Sequence, residues 1–160
     1  MKIIVDATVL ARPKPTGIDY YTRSSLQAAI EQMPDAEFEL AYMATGTRGL
    51  GIIGSNVEQK RFLPLPERFY SGLLHYMNVV PYNLLSRTRG DVYVFPNFSR
   101  PPMLGGTKSI TFIYDLSFAR IDALNTPRHK KFLDKEVKGA IRRSSRIVVC
   151  SESTKNDLVA

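Results

Sequence analysis

The chain has 160 residues, 44% of them hydrophobic, with 22 Lys or Arg against 15 Asp or Glu and a formal charge of +7. A length near this suits one domain that buries roughly 70% of its unfolded surface, so a full hydrophobic core is feasible. No run of about 20 apolar residues is present for a membrane-spanning helix, and Asp6 interrupts the opening MKIIVDATVL too early for a signal peptide. Cys150 is the only cysteine, which excludes an intrachain disulfide, points to a reducing compartment and gives the Asn97 sequon little weight.

Lys2–Ala7 is the first expected strand. Thr16 then reads as a helix N-cap with Asp19 three residues on, a Thr-x-x-Asp variant of the capping box, and the helix runs through Tyr20, Leu26 and Ile30 to near Met33, before Pro34. Phe38–Met43 and Val57–Phe62 are the next strands, separated by a Gly-rich loop from Thr45 to Asn56 that is expected to be mobile. A helix is expected from about Glu67, because Phe69, Leu73, Met77 and Val80 recur at helical spacing, with Pro81 kinking it or starting a new one. Asp91–Phe95 and Ser109–Tyr114 follow as strands around a second mobile loop, Ser99–Thr107. Thr126-Pro127 is a cap followed by proline at the first helical position. Arg146–Cys150 is the last strand, with Cys150 expected as a small buried residue, and a helix begins near a capping Ser153. Runs such as IIV, VYVF, ITFIY and IVV suit strands buried on both faces of a parallel sheet. Strands alternating with helices make the fold class α/β, a Rossmann-like open, mostly parallel sheet with helices on both faces and right-handed crossovers.

Some motif matches fail on context. Gly49-Leu50-Gly51-Ile52-Ile53-Gly54 spells Gly-x-Gly-x-x-Gly, but a dinucleotide fingerprint needs a helix opening within it and an acid about 20 residues on. Here another strand-like run comes next, so the segment reads as a loop. No phosphate-binding Gly-x-x-x-x-Gly-Lys-Ser/Thr loop occurs. His75 and His129 lie in no cluster with ligand spacing, so no transition-metal site is expected.

Ligands of open α/β sheets bind outside the carboxyl ends of the strands, so the residues just past each strand are the informative ones. After the first strand come Asp6, Thr8, Arg12 and Lys14, then Gly17 at a helix start, where free N–H groups suit a phosphate and glycine admits close approach. After DVYVF come Pro96, Asn97, Phe98, Ser99 and Arg100. After ITFIY comes Asp115, and after IVVC come Ser151, Ser153 and Thr154. Parallel strands would bring all of these to one rim. Each also has a local reading: Asp19 and Ser153 as caps, Asp115 and Asn97 as loop-shaping residues.

KIIVDAT, TGIDYYTRSSLQAAI, DVYVFPNFSRPP, SITFIYDLSF and KKFLDKEVKGAIRRSSRIVVCSESTKNDL span nearly all of the chain. In this order they resemble the N-terminal domain of a GT-B-fold glycosyltransferase of the retaining family 4. The resemblance implies residues 1–160 as one Rossmann-like, acceptor-side domain. A donor-binding domain carrying paired glutamates would lie outside this chain. The implied reaction is retaining transfer of a hexose, mannose-like in character, from a nucleotide sugar to a saccharide or lipid-linked acceptor, as in bacterial surface polysaccharide assembly. No cofactor or obligatory metal is implied, and the fragment alone is expected to be inactive. Tyr114-Asp115 falls where the family usually has His-Asp at the reaction centre, and a tyrosine, with an ordinary pKa of about 10, is a poor proton carrier near neutrality. Gly17, with Ser151 and Thr154, falls on the donor-phosphate side of the cleft. Asp6, Arg12, Tyr20, Asn97 and Arg100 fall on the acceptor side. Where many family members have two adjacent glycines, this chain has only Gly17.

Charge is concentrated late in the chain. From Arg128 to Arg146 there are eight Lys or Arg against Asp134 and Glu136, and Arg128, Lys130, Lys131, Lys135, Lys138 and Arg142 form the candidate anion or membrane surface. Cations in the first turns of a helix oppose its dipole, so an anionic lipid surface is a fitting compensation. The apolar FYSGLLHYMNVVPYNLL fits the same idea or a place in the core. The expected setting is cytoplasmic, peripheral on the inner face of the membrane. The alternative is a non-enzymatic basic α/β module binding an anionic partner, RNA or lipid. Nucleic acid is disfavoured because aromatics are not interleaved with the basic residues. A complete small nucleotide-binding enzyme lacks its phosphate loop.

Overall fold

The computed structural model describes residues 1–45, 49–65, 80–120 and 126–159. Six parallel strands form one sheet: β1 (Lys2–Asp6), β2 (Glu37–Met43), β3 (Val57–Leu63), β4 (Val92–Phe95), β5 (Lys108–Ile113) and β6 (Arg146–Val149). Their order is β3-β2-β1-β4-β5-β6. The chain therefore winds one way from β1 to β3, crosses back, and winds the other way from β4 to β6. This is the doubly wound Rossmann arrangement, whose switch point lies between β1 and β4.

Helix α1 (Gly17–Gln32) starts at the expected place, because both halves of the capping box form: the Thr16 backbone N–H donates to Asp19 Oδ2 at 2.9 Å, and the Thr16 side chain receives the Asp19 backbone N–H. Its apolar stripe, Leu26 and Ile30, packs on Ile3, Val5, Phe38 and Leu40. The opposite face of the sheet carries Ile4, Tyr93 and Phe95 against Tyr82 of α2 (Tyr82–Leu85), for which Pro81 is the N-cap. The helix expected from Glu67 lies, through residue 79, outside the described residues, as do His75 and most of the apolar stretch around it. Farther along the same face, Ile113 and Phe118 of α3 (Ser117–Arg120) meet Val137 of α4 (Pro127–Arg143). The last helix, α5 (Glu152–Val159), packs through Leu158 against the same cluster as Ile147 and Val149 of β6.

Three expectations are corrected. The glycine-rich loop after β2 is pinned over residues 49–53. Leu50 and Ile52 are buried, the Gln59 side chain binds the Leu50 N–H and the Ile52 carbonyl, and the guanidinium of Arg23 donates to the Leu50 carbonyl. Gly51 has φ +66°, which only glycine adopts without strain. The β2–β3 connection is a loop at residues 49–54, as its failed fingerprint implies. Second, Cys150 is exposed and lies just past β6, because the strand ends at Val149. Third, the later strands are not buried on both faces. Val92, Val94, Ile110, Phe112 and Val148 are half-buried beside α1, where they line an apolar groove of about 300 Å³.

Candidate functional site

The parallel register brings the strand ends together. Val5 pairs with Val94, so Asp6 and the segment Pro96–Phe98 leave the sheet side by side at the switch point. The Phe98 N–H bonds the Phe112 carbonyl at 2.9 Å, which draws in the end of β5. Phe98 itself has φ 51°, a left-handed conformation that costs a non-glycine residue about 1–2 kcal/mol.

Tyr114 ties this rim together. Its hydroxyl donates to the Pro96 carbonyl at 3.0 Å. A phenol has one proton, so at the 3.1 Å contact with Thr22 the threonine must be the donor. Tyr21 and Phe98 meet the ring edge-on at 5.4 and 5.6 Å. The Tyr114 carbonyl accepts from Thr154 Oγ1 at 2.9 Å and from Cys150 Sγ at 3.0 Å. Burial pushes the Tyr114 pKa up. The Thr22 hydrogen bond opposes that, while Tyr21, Cys150 and Asp19 add to it, and the hydroxyl stays protonated near neutrality. The position expected at a reaction centre therefore holds a neutral strut whose polar atom is turned onto the protein.

Around it, the sequence-predicted residues divide. Asp115 is exposed, and its Oδ1 accepts from the Ser117 N–H and hydroxyl at 3.0 and 2.5 Å, the local loop-ordering role. Its other carboxylate oxygen makes no hydrogen bond among the described residues. Asn97 is half-buried with an uncommitted carboxamide among the described residues. Gly17 is exposed and opens α1, and a Cβ there would meet nothing within 4 Å. Asp6 is buried, and its Oδ1 accepts from the Thr8 N–H at 3.2 Å.

Other candidates have structural work or sit elsewhere. Thr154 is buried beneath Tyr114, and Ser151, not Ser153, caps α5 by accepting the Thr154 N–H at 3.1 Å. Arg100 is turned away from the rim. It is buried, its Nε donates to Ser109 at the amino end of β5, and its carbonyl accepts from Arg143. Burial, with Arg143 nearby, lowers its pKa from the usual guanidinium value. Arg12 and Tyr20 line a separate polar cavity beside the start of α1. Thr22 is not marked by the sequence, and Pro96 and Phe98 are marked only as residues that follow β4. Only their distant partners in the chain reveal what they do, and no local pattern marks such pairs.

On α4, Lys131, Lys135, Lys138 and Arg142 are exposed at spacings of four, three and four, one continuous stripe along the helix. Lys138 pairs with Asp134 at 2.8 Å. Lys130 is half-buried, and the Arg128 side chain lies outside what is described. Glu136, on the inner face, is buried and accepts from Ser99 at 2.5 Å. Among the described residues there is no cluster of three metal-ligating side chains, and no helix is long and apolar enough to cross a membrane.

No protein-family model, no curated protein and no solved structure matches this chain.

Proposed function

We propose that this chain is the acceptor-side half of a two-domain, retaining glycosyltransferase of the GT-B kind. One observation carries the reading: the doubly wound sheet has its switch point between β1 and β4, which Asp6 and Asn97 directly follow, with Asp115 past the neighbouring β5 and Gly17 at the start of α1. The substrate would be a nucleotide sugar held mainly by a second domain. The acceptor would be a saccharide or lipid-linked saccharide of the kind used in surface polysaccharide assembly. Gly17 and the opening amides of α1 would lie against the departing diphosphate, whose charge they stabilise without needing a metal. Tyr114 would act here by positioning the β4 and β5 ends rather than by moving a proton.

The exposed basic stripe on α4 favours one addition, a peripheral position on an anionic inner membrane face. The same stripe is what a non-enzymatic module for an anionic partner would use, so enzyme and module divide on the rim and not on the helix.

The coding sequence past residue 160 is the first test. A second domain of similar size with two glutamates eight positions apart is expected. That longer protein should transfer a hexose from one member of a nucleotide-sugar panel, as followed by mass spectrometry of the acceptor, while residues 1–160 alone show no turnover. A stop codon directly after residue 160 would sink the reading.

A further inference from the structure

The cavity beside the start of α1 is separate from the Tyr114 rim. It has a volume of about 320 Å³ and is walled by Leu10, Arg12, Pro15, Tyr20, Arg23 and Gly51, among others. That volume is at the small end for ligand pockets, enough for one sugar residue and its substituent. Its far wall is the glycine loop that fails as a dinucleotide fingerprint. Gln59 clamps that loop from β3 and Arg23 clamps it from α1. Gly51 is required by its φ of +66°, and a Cβ there would also stand 3.1 Å from the Arg23 guanidinium. The wall is built, and the glycines shape it.

Two guanidinium groups and one carboxylate line the cavity. The carboxylate, Asp19, is buried, and its Oδ2 accepts from the Thr16 N–H at 2.9 Å and the Thr16 hydroxyl at 2.6 Å, with Arg12 at 3.9 Å. Its charge is thus absorbed by the capping box and Arg12. Arg23 spends one donor on the Leu50 carbonyl, and a guanidinium has five. Its remaining donors make no hydrogen bond among the described residues. Leu10, Pro13 and Pro15 supply apolar surface, and Tyr20 is 64% exposed, with a hydroxyl that makes no hydrogen bond among the described residues. An exposed tyrosine ring offers a flat face for the C–H face of a pyranose and a hydroxyl for its polar edge. Guanidinium forks select phosphate and carboxylate oxygens.

We infer that this cavity binds an acidic sugar, with the anionic substituent on Arg12 and Arg23 and the ring on Tyr20. The binding stands on the cavity alone and does not need the transferase reading. Where that reading holds, it makes the acceptor an acidic saccharide.

The test is a titration of the isotope-labelled 160-residue chain, followed by amide NMR, with glucose 6-phosphate, glucuronic acid, glucose and inorganic phosphate. One or both acidic sugars should saturate, with shifts centred on Tyr20, Gly49 and Gly51, and which one does so distinguishes phosphate from carboxylate. Glucose and free phosphate should each bind at least about tenfold more weakly. Arg12→Gln, Arg23→Gln and Tyr20→Ala should each weaken the acidic sugar by about tenfold, whereas Lys155→Gln, on α5 and outside the cavity, should leave it unchanged. Arg23 also holds the loop, so Arg12→Gln and Tyr20→Ala carry the result if Arg23→Gln fails to fold. The inference is overturned if no acidic sugar binds or the shifts lie elsewhere. It is equally overturned if free phosphate binds as tightly as the sugar phosphate, glucose as tightly as the acidic sugars, or the variants bind like the parent. None of these outcomes bears on whether the longer protein transfers a hexose.

Discussion

The Tyr114 hydroxyl donates to the Pro96 carbonyl at 3.0 Å, and so fastens the end of β5 to the end of β4. The same oxygen receives the Thr22 hydroxyl from α1. Tyr114→Phe keeps the ring contacts with Tyr21 and Phe98 but leaves two part-buried groups without their partner, at a cost of about 1–2 kcal/mol. Tyr114→Ala also removes the ring, and for a half-buried aromatic the total should be about 2–4 kcal/mol. Urea denaturation measures both. Equal stability of Tyr114→Phe and the parent would remove the strut assignment. In the longer protein a positioning role predicts reduced transfer for both variants, most for Tyr114→Ala, with no new ionisation in the pH–rate profile.

Sheet content was legible because most strands carry short runs of β-branched and aromatic residues between turn signals, and all six appear within a residue or two of their final bounds. The start of α1 was legible because Thr16 and Asp19 satisfy each other locally. What the sequence hides is commitment. Asn97, Asp115, Thr154 and Arg100 are equally polar and all come after strands, yet Arg100 returns along the sheet to Ser109 and Thr154 turns inward onto the Tyr114 carbonyl. Ser109 is nine residues from Arg100, and Tyr114 is forty from Thr154. The loop at 49–53 misleads for the same reason. Its glycines read as freedom, but Gln59 and Arg23, from other elements, hold it.

Gly17 gives a prediction that separates folding from ligand contact. It stands at the first position of α1, a Cβ there meets nothing within 4 Å, and its φ is not in the left-handed region. Nothing in the fold therefore demands glycine. Gly17→Ala should leave the protein as stable or raise stability by up to about 1 kcal/mol, because the unfolded chain loses freedom. If the diphosphate of a donor passes over this point, the same change should lower transfer by the longer protein about tenfold or more. Loss of stability in a thermal melt would show that the position has a structural duty.

Two phenols, one fully and one half buried, contribute to the alkaline limit. Tyr82 is fully buried, its hydroxyl has no hydrogen-bond partner among the described residues, and burial pushes its pKa well up, with Asp6, Tyr93 and Glu39 adding to the shift. Burial also raises the pKa of Tyr114. For a group whose folded pKa lies above its unfolded value, the unfolded state releases the proton first as pH rises. Stability is then intact below the ordinary value of about 10 and falls above it. Thermal melts between pH 8 and 11 should show the melting temperature dropping only past about pH 10. Tyr82→Phe should flatten that drop. At neutral pH it should be neutral or stabilising, since it deletes a buried hydroxyl with no partner, a group that costs about 1–3 kcal/mol. A destabilised Tyr82→Phe would mean that the hydroxyl is paired.

The stripe on α4 is testable by subtraction. Lys138 already answers Asp134, so the charge offered to a partner comes mainly from Lys131, Lys135 and Arg142. Near an anionic bilayer each such side chain contributes about 1 kcal/mol, and the attraction fades beyond a screening length of about 10 Å at 0.1 M salt. Flotation with vesicles should therefore show binding to anionic but not neutral lipid, reversed by high salt. The triple change Lys131→Gln, Lys135→Gln, Arg142→Gln should weaken it by about two orders of magnitude. Lys155→Gln, which removes an exposed lysine paired with Glu152 on α5, should have no effect and serves as the control for a lysine outside the stripe. Equal binding of the triple variant and the Lys155 control would show that this helix face does not govern the association. Equal binding of the parent to neutral and anionic vesicles would remove the electrostatic reading of the stripe altogether.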